Sequence, residues 1–255
     1  MKRAVLFDFD LTLAHSSRGA IECIDYALMK MGLPPADHGA IRATIGLSLP
    51  ATLARLTGLT DRASTNAFAA NFVERADLRM VDLTSLFPDV CRVVHELRMA
   101  GIKTGIVSTK YRYRIQAILA RGGLTEAFDV IVGGEDVARH KPDPEGLHRA
   151  LRCIGIYGQD AVYVGDHPVD AMAASAARIS FVAVLTGNAV RGDFDPWPDT
   201  VFIESLTDLV SLLTANWGTQ TQDSEGDRHA CVTALQTPRP EGSGISGAYR
   251  CDCVR

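Results

Sequence analysis

Carboxylates, a hydroxyl and an ammonium group recur in this sequence at or just beyond the ends of short apolar runs. Asp8 and Asp10 follow the first run, Ser108 follows a second, and Asp166 follows another. Lys141 lies a few residues beyond a further run. Several carboxylates crowded together repel one another unless a hard cation lies among them. The sequence therefore predicts a site for a divalent cation and an anion.

The chemistry that this set of side chains supports is phosphoryl transfer. Magnesium prefers oxygen ligands, usually one or two carboxylates with water and substrate phosphate. A carboxylate beside the cation can attack phosphorus, because the metal and Lys141 screen its charge. A second carboxylate, two residues on, can protonate the leaving oxygen and later activate water. Ser108 can donate a hydrogen bond to a phosphoryl oxygen, and Asp170 adds a carboxylate one helical turn after Asp166.

Five short apolar runs must position these side chains. They are Ala4–Phe7, Lys103–Val107, Phe128–Val132, Ala161–Val164 and Phe181–Leu185. Continuous apolarity over this length is typical of a parallel strand that is covered on both faces. Amphipathic helical patterns lie between several of the runs. The alternation predicts an α/β fold with a doubly wound, Rossmann-like parallel sheet, whose chemistry lies at the carboxyl edge of the strands.

The stretch 15–82 differs from the rest of the chain, since it has helical patterns and no convincing strand. Helices are predicted at Ala36–Ile45, Pro50–Leu56 and Asp61–Val81. We interpret 15–82 as an α-helical cap inserted into an α/β core made of 1–14 and 83–217. Residues 218–255 are polar, lack periodicity and are predicted to be disordered. The role of the three cysteines in this tail is left open.

Four polar segments of the chain together resemble the motifs of the haloacid dehalogenase (HAD) superfamily of hydrolases. The segments are Asp8–Leu13 (DxDxT), Val107-Ser108, Lys141–Pro144 and Gly165–Asp170 (GDxxxD). They occur in the order of the superfamily, and the resemblance covers about residues 1–214. The position of the cap, and the segment Ile45–Pro50 within it, resemble the phosphoglycolate phosphatase-like subgroup with a helical C1 cap.

The resemblance implies a role for each motif residue. It assigns the nucleophile to Asp8 and the general acid and base to Asp10, whose main-chain carbonyl also contacts the metal in the family. Asp166 would be the remaining protein ligand of magnesium, and Asp170 would support Lys141 or the metal's water shell. Lys141 and Ser108 are the other catalytic candidates. Thr12 is a supporting residue, and Ser48 and Lys110 are candidates for substrate binding.

The resemblance also implies an activity. Dehalogenases of this superfamily lack the second aspartate, so the presence of Asp10 favours phosphoryl transfer. We therefore predict a magnesium-dependent phosphatase that hydrolyses a small phosphomonoester through a phospho-aspartate, with phosphoglycolate as the best single candidate. Arg18, Arg42 and Arg55 are the cap residues that would suit such an acidic substrate. An inorganic pyrophosphatase, a sugar phosphomutase and a non-catalytic binding protein of this fold remain alternatives.

Composition limits the partners and the location. The formal net charge of −4 among 255 residues gives no indication of a nucleic-acid or membrane partner. Asp8 and Asp10 interrupt the first apolar segment too early for a signal peptide, and no apolar run approaches the roughly 20 residues of a membrane helix. We expect a cytoplasmic enzyme with a small-molecule phosphoester substrate. Its oligomeric state is open, as is the effect of His15, which stands where many relatives have an aspartate.

Overall fold

The computed structural model of the protein describes residues 2–221, with side chains as far as residue 213. The strands are β1 (Ala4–Phe7), β2 (Ala14–His15), β3 (Ser85–Leu86), β4 (Lys103–Val107), β5 (Val130–Val132), β6 (Ala161–Gly165), β7 (Ser180–Val184) and β8 (Val201–Ile203). The helices are α1 (Ser17–Lys30), α2 (His38–Arg42), α3 (Leu49–Thr57), α4 (Arg62–Arg79), α5 (Val90–Met99), α6 (Arg112–Arg121), α7 (Glu145–Ile154), α8 (Pro168–Ala177) and α9 (Leu206–Thr221).

Six strands form one parallel sheet in the order β5-β4-β1-β6-β7-β8. The first strand therefore lies at the centre, between β4 and β6. All five predicted strands are present, with ends shifted by up to two residues, and the predicted α/β fold class is confirmed. The sixth strand, β8, was not predicted. It pairs with β7 through only three residues and is partly exposed, so the apolar run is too short to stand out.

Helices cover both faces of the sheet. Because side chains alternate across a strand, Val5 and Phe7 pack into one core with α5, α6 and α9, while Ala4 and Leu6 pack into a second core with α7 and α8. All four of these β1 side chains are fully buried. This burial holds β1 rigidly, so its carboxyl end is a fixed platform for the residues that follow it.

Helices α1 to α4 pack around a small core of their own, built from Ile24, Leu28, Ile41, Leu53 and Phe68. Helices α2 and α4 are shorter than predicted, because their caps lie inside the predicted ranges, whereas α3 extends one residue beyond its predicted range at each end. The Asp37 side chain accepts a hydrogen bond from the backbone N–H of Ala40, and the Asp61 side chain accepts one from that of Ser64. These caps start α2 and α4. The exact division of the chain into core and cap stays a prediction.

A second, two-stranded sheet lies where the chain enters and leaves this helical block. β2 pairs with β3 in an antiparallel arrangement, with Ala14 opposite Leu86 and His15 opposite Ser85. The ring of His15 stacks on that of Phe87, with centroids 6.0 Å apart. The two crossings between the sheet and the helical block therefore lie side by side.

The C-terminal helix α9 continues to Thr221, past the predicted start of the tail at residue 218. The remainder of the predicted tail, with Cys231, Cys251 and Cys253, lies outside the described residues. Within the described part of the chain, none of the helices combines the length and the apolarity needed to cross a membrane.

Candidate active site

The carboxyl end of β1 places the two aspartates of the first motif. The backbone N–H of Asp8 donates to the carbonyl of Val164 (2.8 Å), so sheet pairing with β6 extends one residue beyond the strand. Leu11 then adopts a left-handed conformation with φ of 60°. That conformation costs a residue with a side chain about 1–2 kcal/mol. The turn lets the chain reverse directly after Asp10, and both aspartates are buried at the edge of the sheet.

Lys141 links Asp8 to Asp170. Its Nζ lies 2.9 Å from Asp8 Oδ1 and 2.6 Å from Asp170 Oδ1, and all three side chains are buried. The hydroxyl of Tyr163 accepts a hydrogen bond from the same Nζ (3.3 Å). This hydroxyl also lies 3.2 Å from Asp170 Oδ1 and 2.9 Å from the carbonyl of Val107, and its one proton serves one of the two. The ammonium group is thus held by fixed partners.

Asp166 is buried beside this network and is held by Thr12. The Thr12 hydroxyl donates to Asp166 Oδ1 (3.1 Å). Two glycines make room for the carboxylates here. A Cβ at Gly165 would lie 2.5 Å from Asp170 Oδ2, and a Cβ at Gly187 would overlap Asp166 Oδ2. Both positions therefore require a residue without a side chain.

The arrangement of carboxylate oxygens fits a hard divalent cation. One oxygen from each of Asp8, Asp166 and Asp170 lies within 4.8 Å of the others. Neither carboxylate oxygen of Asp8 makes a hydrogen bond, although both are buried. Lys141 Nζ approaches Oδ1 of Asp8 at an ion-pair distance of 2.9 Å. Both oxygens of Asp170 are engaged, by Lys141 and by the His167 backbone, so Asp8 and Asp166 are the better cation ligands.

The pKa shifts of the site residues also indicate a place for a cation. Burial raises the pKa of Asp8 to about 6, an effect that Lys141 partly offsets and that Asp170 and Asp10 reinforce. Burial, followed by repulsion from Asp170 and Asp8, also holds the pKa of Asp166 well above its ordinary value. Burial alone would lower the pKa of Lys141, but Asp170 and Asp8 outweigh it and raise that pKa, so the group stays an ammonium. A cation between Asp8 and Asp166 would relieve the raised pKa values of both.

The side chain of Asp10 points to Lys110. Lys110 Nζ lies 3.1 Å from Asp10 Oδ1, and the lysine side chain is only 6% exposed. The hydroxyl of Ser108 accepts a hydrogen bond from the Lys110 backbone N–H (3.3 Å). Asp10, Lys110 and Ser48 all line a cavity of about 210 Å³ between the sheet edge and helices α1 to α4. The structure therefore places Asp8, Lys141, Asp166, Asp170 and Thr12 at the carboxylate cluster, and Asp10, Lys110 and Ser48 at this cavity. Ser108 lies with Lys141 along a smaller pocket instead.

Sequence reasoning missed two residues of the site, Tyr163 and Gly187. Tyr163 was counted as one more apolar residue of a buried strand, and its single distinguishing signal is that a buried tyrosine usually finds a hydrogen-bond partner. Gly187 follows the last strand that was predicted, in a segment without periodicity. Its role depends on the close approach of Asp166, and that contact between distant residues cannot be seen in the linear sequence.

Replacement of Tyr163 by phenylalanine is expected to destabilise the protein by about 1–3 kcal/mol, because buried partners then lose a hydrogen bond. It is also expected to lower kcat roughly tenfold, since a supporting group of the site is lost. Urea unfolding and a phosphate-release assay measure the two effects. The control is Tyr157→Phe, at a position that is 76% exposed, where neither quantity should change. Equal behaviour of the two variants would contradict the assigned role of Tyr163.

The chain is similar to known proteins over most of its length. A model of the haloacid dehalogenase-like hydrolase family matches residues 5–184, which is more than half of the chain. The phosphoglycolate phosphatase of Xanthomonas campestris pv. campestris (strain 8004) is 34% identical over 209 residues, covering 81% of this chain and 94% of that protein. The plasmid-encoded phosphoglycolate phosphatase of Cupriavidus necator is 32% identical over 215 residues, covering 83% and 93%.

Solved structures give the same result. The crystal structure of a haloacid dehalogenase-like hydrolase from Bacteroides fragilis superposes with a TM-score of 0.79 at 39% identity, covering 82% of this chain and all (100%) of that one. The family match runs from β1 to the end of β7 and includes the helical block. The predicted resemblance is confirmed, and the chain belongs to the haloacid dehalogenase-like hydrolase family.

Proposed function

We propose that this phosphatase works through a covalent phospho-aspartate on Asp8. A carboxylate oxygen of Asp8 attacks the phosphorus of a phosphomonoester, and the bond from phosphorus to the ester oxygen breaks. Asp10, protonated at this stage, gives its proton to that oxygen, so the alcohol leaves neutral. Lys141 neutralises charge beside the nucleophile, and Ser108 donates a hydrogen bond to a phosphoryl oxygen.

The second half-reaction returns the enzyme to its starting state. Asp10, now a carboxylate, takes a proton from a water molecule, and the resulting oxygen nucleophile attacks the phosphorus of the phospho-aspartate. The bond between phosphorus and the Asp8 oxygen breaks, which restores the carboxylate and releases phosphate. The two products, alcohol and phosphate, together contain the atoms of the ester and one water molecule. Asp10 ends with the proton that it needs for the next cycle.

One observation carries this proposal. Asp8 is a fully buried carboxylate with two oxygens that make no hydrogen bond, beside an ammonium group at 2.9 Å. A buried charge left so incompletely paired is costly for stability. Such a group is expected where a ligand or a reaction supplies the missing interaction.

We propose Mg²⁺ as the cation, held by Asp8, Asp166 and the main-chain carbonyl of Asp10, with Asp170 supporting Lys141. When bound, Mg²⁺ neutralises phosphoryl charge and orients the phosphate toward the nucleophile. The donors here are all oxygen atoms, as magnesium prefers. The haloacid dehalogenase-like phosphatases generally use this metal. We also propose that 15–82 act as a cap that excludes water from the site.

Phosphoglycolate remains the predicted substrate from the sequence, and the names of two relatives support it. The pyrophosphatase and phosphomutase alternatives share the first half-reaction, so the carboxylate cluster does not separate them. A cytoplasmic location, a small-molecule phosphoester as the substrate, and the lack of nucleic-acid and membrane partners stay predictions.

The proposal is tested by phosphate release from a panel of phosphomonoesters and inorganic pyrophosphate, with Mg²⁺ and with EDTA. Release from a monoester that requires Mg²⁺ is the expected outcome. Preference for pyrophosphate, or release only after addition of a sugar bisphosphate, would replace the proposal by one of the two enzyme alternatives. A folded protein that binds Mg²⁺ and releases nothing would leave the binding-protein alternative.

Magnesium is expected to stabilise the protein more at pH 8 than at pH 5. The folded pKa of Asp8, about 6, exceeds its usual 3.8, so the metal-free folded state binds a proton more tightly than the unfolded chain. Stability therefore falls as pH rises from about 4 to 6 and stays lower above that range. Mg²⁺ relieves this loss where the carboxylates are ionised and competes with protons at low pH.

Thermal unfolding with Mg²⁺ or EDTA at the two pH values measures this effect. At a hundredfold excess over Kd, bound Mg²⁺ adds about 2.7 kcal/mol, which raises Tm by roughly 5–10 °C for a chain of this size. The rise in Tm caused by Mg²⁺ at pH 5 should be less than half of the rise at pH 8. Equal rises at both pH values would contradict a site made of carboxylates with raised pKa values.

A further inference from the structure

The cavity beside Asp10 is a feature of the site that the proposed mechanism does not use. Its volume of about 210 Å³ is far above the roughly 15 Å³ that a single water molecule needs. Asp10 and Lys110 belong to its wall, so it adjoins the group that would protonate the leaving oxygen. Most of the wall contributed by the helical block is apolar, from Ile24, Ile45, Leu47, Leu49, Phe72 and Met80. A leaving group held at Asp10 would therefore contact mainly apolar side chains.

Each cationic side chain that lines the cavity already has a partner. Lys110 is paired with Asp10 at 3.1 Å. Arg114 is buried and paired with Asp77 at 2.6 Å, and its guanidinium packs over the rings of Tyr111 and Tyr113. These cations are therefore engaged before any ligand enters.

The remaining basic side chains do not add a free cation to the wall. His140, which also lines the cavity, has its Nε2 2.9 Å from the carbonyl of Gly134, to which that nitrogen donates. Arg18, Arg42 and Arg55 are exposed, and none of them is among the described residues that line the cavity. A carboxylate brought into this space would lose its water, and to gain a cation it would have to take Lys110 from its contact with Asp10 or Arg114 from Asp77, which disfavours its binding.

Neutral hydrogen-bonding groups complete the wall. Ser48 is the N-cap residue of α3, yet its hydroxyl makes no capping hydrogen bond. It is half-buried and faces the same cavity as Asp10. The Ser48 hydroxyl, together with those of Thr44, Thr52, Thr109 and Tyr111 in the same lining, suits a leaving group with a neutral polar atom on an apolar body.

We propose that the leaving group of the substrate is an alcohol with an uncharged, mainly apolar body larger than glycolate. This proposal rests on the phosphatase mechanism above, and it replaces phosphoglycolate, the substrate predicted from the sequence, by a larger ester that the cavity fits. Glycolate has two carbons and a carboxylate, so it would leave most of the apolar wall uncovered and its own charge unpaired. Each methylene that the wall covers should instead improve kcat/KM by roughly fourfold until the cavity is full.

The test compares ethyl, butyl and hexyl phosphate with phosphoglycolate, in the presence of Mg²⁺. We expect kcat/KM to rise at least tenfold from ethyl to butyl phosphate and to be at least tenfold lower for phosphoglycolate than for butyl phosphate. No release from any ester would overturn the phosphatase mechanism itself. Release without preference for chain length, or with phosphoglycolate as the best substrate, would overturn the leaving-group proposal alone.

Two substitutions of Leu47 test whether the cavity determines the preference for the leaving group. Leu47 is half-buried, lines the cavity and belongs to none of the packed cores. Leu47→Asn should reduce the ratio of kcat/KM for butyl phosphate to kcat/KM for ethyl phosphate to less than a third of its wild-type value. Leu47→Lys should raise the ratio of kcat/KM for phosphoglycolate to kcat/KM for butyl phosphate by tenfold or more. The matched control is Leu56→Asn, in the core of the helical block and away from the cavity. It should change neither ratio, and equal changes in the control and in Leu47→Asn would contradict the assignment.

Discussion

Asp8→Asn is expected to reduce kcat by at least about 10⁴-fold while leaving the protein folded. The amide oxygen is a far weaker nucleophile than a carboxylate, so the covalent step is lost, and nucleophile replacements in other enzymes have effects of this size or larger. The fold should tolerate the change because burial already opposes the charge of Asp8. Lys141 also keeps Asp170 as its partner. Phosphate release and thermal unfolding measure the two quantities.

The control for this variant is Asp82→Asn, which removes a carboxylate that is 69% exposed at the end of the helical block. It should retain wild-type turnover. Trapping with acid after addition of substrate should recover a phosphoenzyme from the control and none from Asp8→Asn. A phosphoenzyme in the Asp8 variant would move the nucleophile to another residue and refute the proposed cycle.

Asp10→Asn is expected to lower kcat by about 10²- to 10⁴-fold, with a loss that depends on the leaving group. An alkyl phosphate needs a proton on its leaving oxygen, so its first half-reaction should nearly stop. The nitrophenolate of p-nitrophenyl phosphate leaves without a proton, so Asp8 should still become phosphorylated. Hydrolysis of that intermediate lacks its base, and the variant should therefore stop after one turnover.

Rapid mixing of Asp10→Asn with p-nitrophenyl phosphate tests this expectation. One equivalent of nitrophenolate should appear quickly, followed by slow turnover, and the phosphoenzyme should accumulate. Asp136→Asn is the control, since it removes a carboxylate that is 9% exposed and paired with Arg112 away from the cavity. Equal losses for alkyl and nitrophenyl esters, with no rapid phase, would show that Asp10 does not transfer the proton.

The central sheet could be predicted from the sequence because its strands are buried on both faces. Near-continuous apolarity distinguishes β1, β6 and β7 from everything around them, β4 shows it only at Ile106 and Val107, and all four strands are almost wholly buried. β8 lies at the edge of the sheet, is short and is partly exposed, so its composition resembles that of a loop. Its place in the sheet follows from pairing with β7, which is a contact between distant segments.

The candidate site could be predicted only as a set of residues. The parallel sheet explains why Asp8, Ser108, Lys141 and Asp166 meet, since parallel strands end at one edge. The contacts among them could not be predicted, because each depends on a rotamer and on the register between elements. The pairing of Asp10 with Lys110 is one example. The Tyr163 hydroxyl beside Lys141 is another, since it comes from the interior of a strand.

The paired crossings at β2 and β3 have an evolutionary consequence. The chain leaves the sheet after β1 and returns before α5 at adjacent points, held together by Ala14–His15 against Ser85–Leu86. A segment inserted between neighbouring points can be lengthened, shortened or exchanged without altering the register of any strand in the main sheet. Selection can therefore change what enters the site by replacing the helical block, while the residues at the strand ends keep their positions. Under the proposed cap role of 15–82, substrate choice and reaction chemistry are encoded in separable parts of one gene.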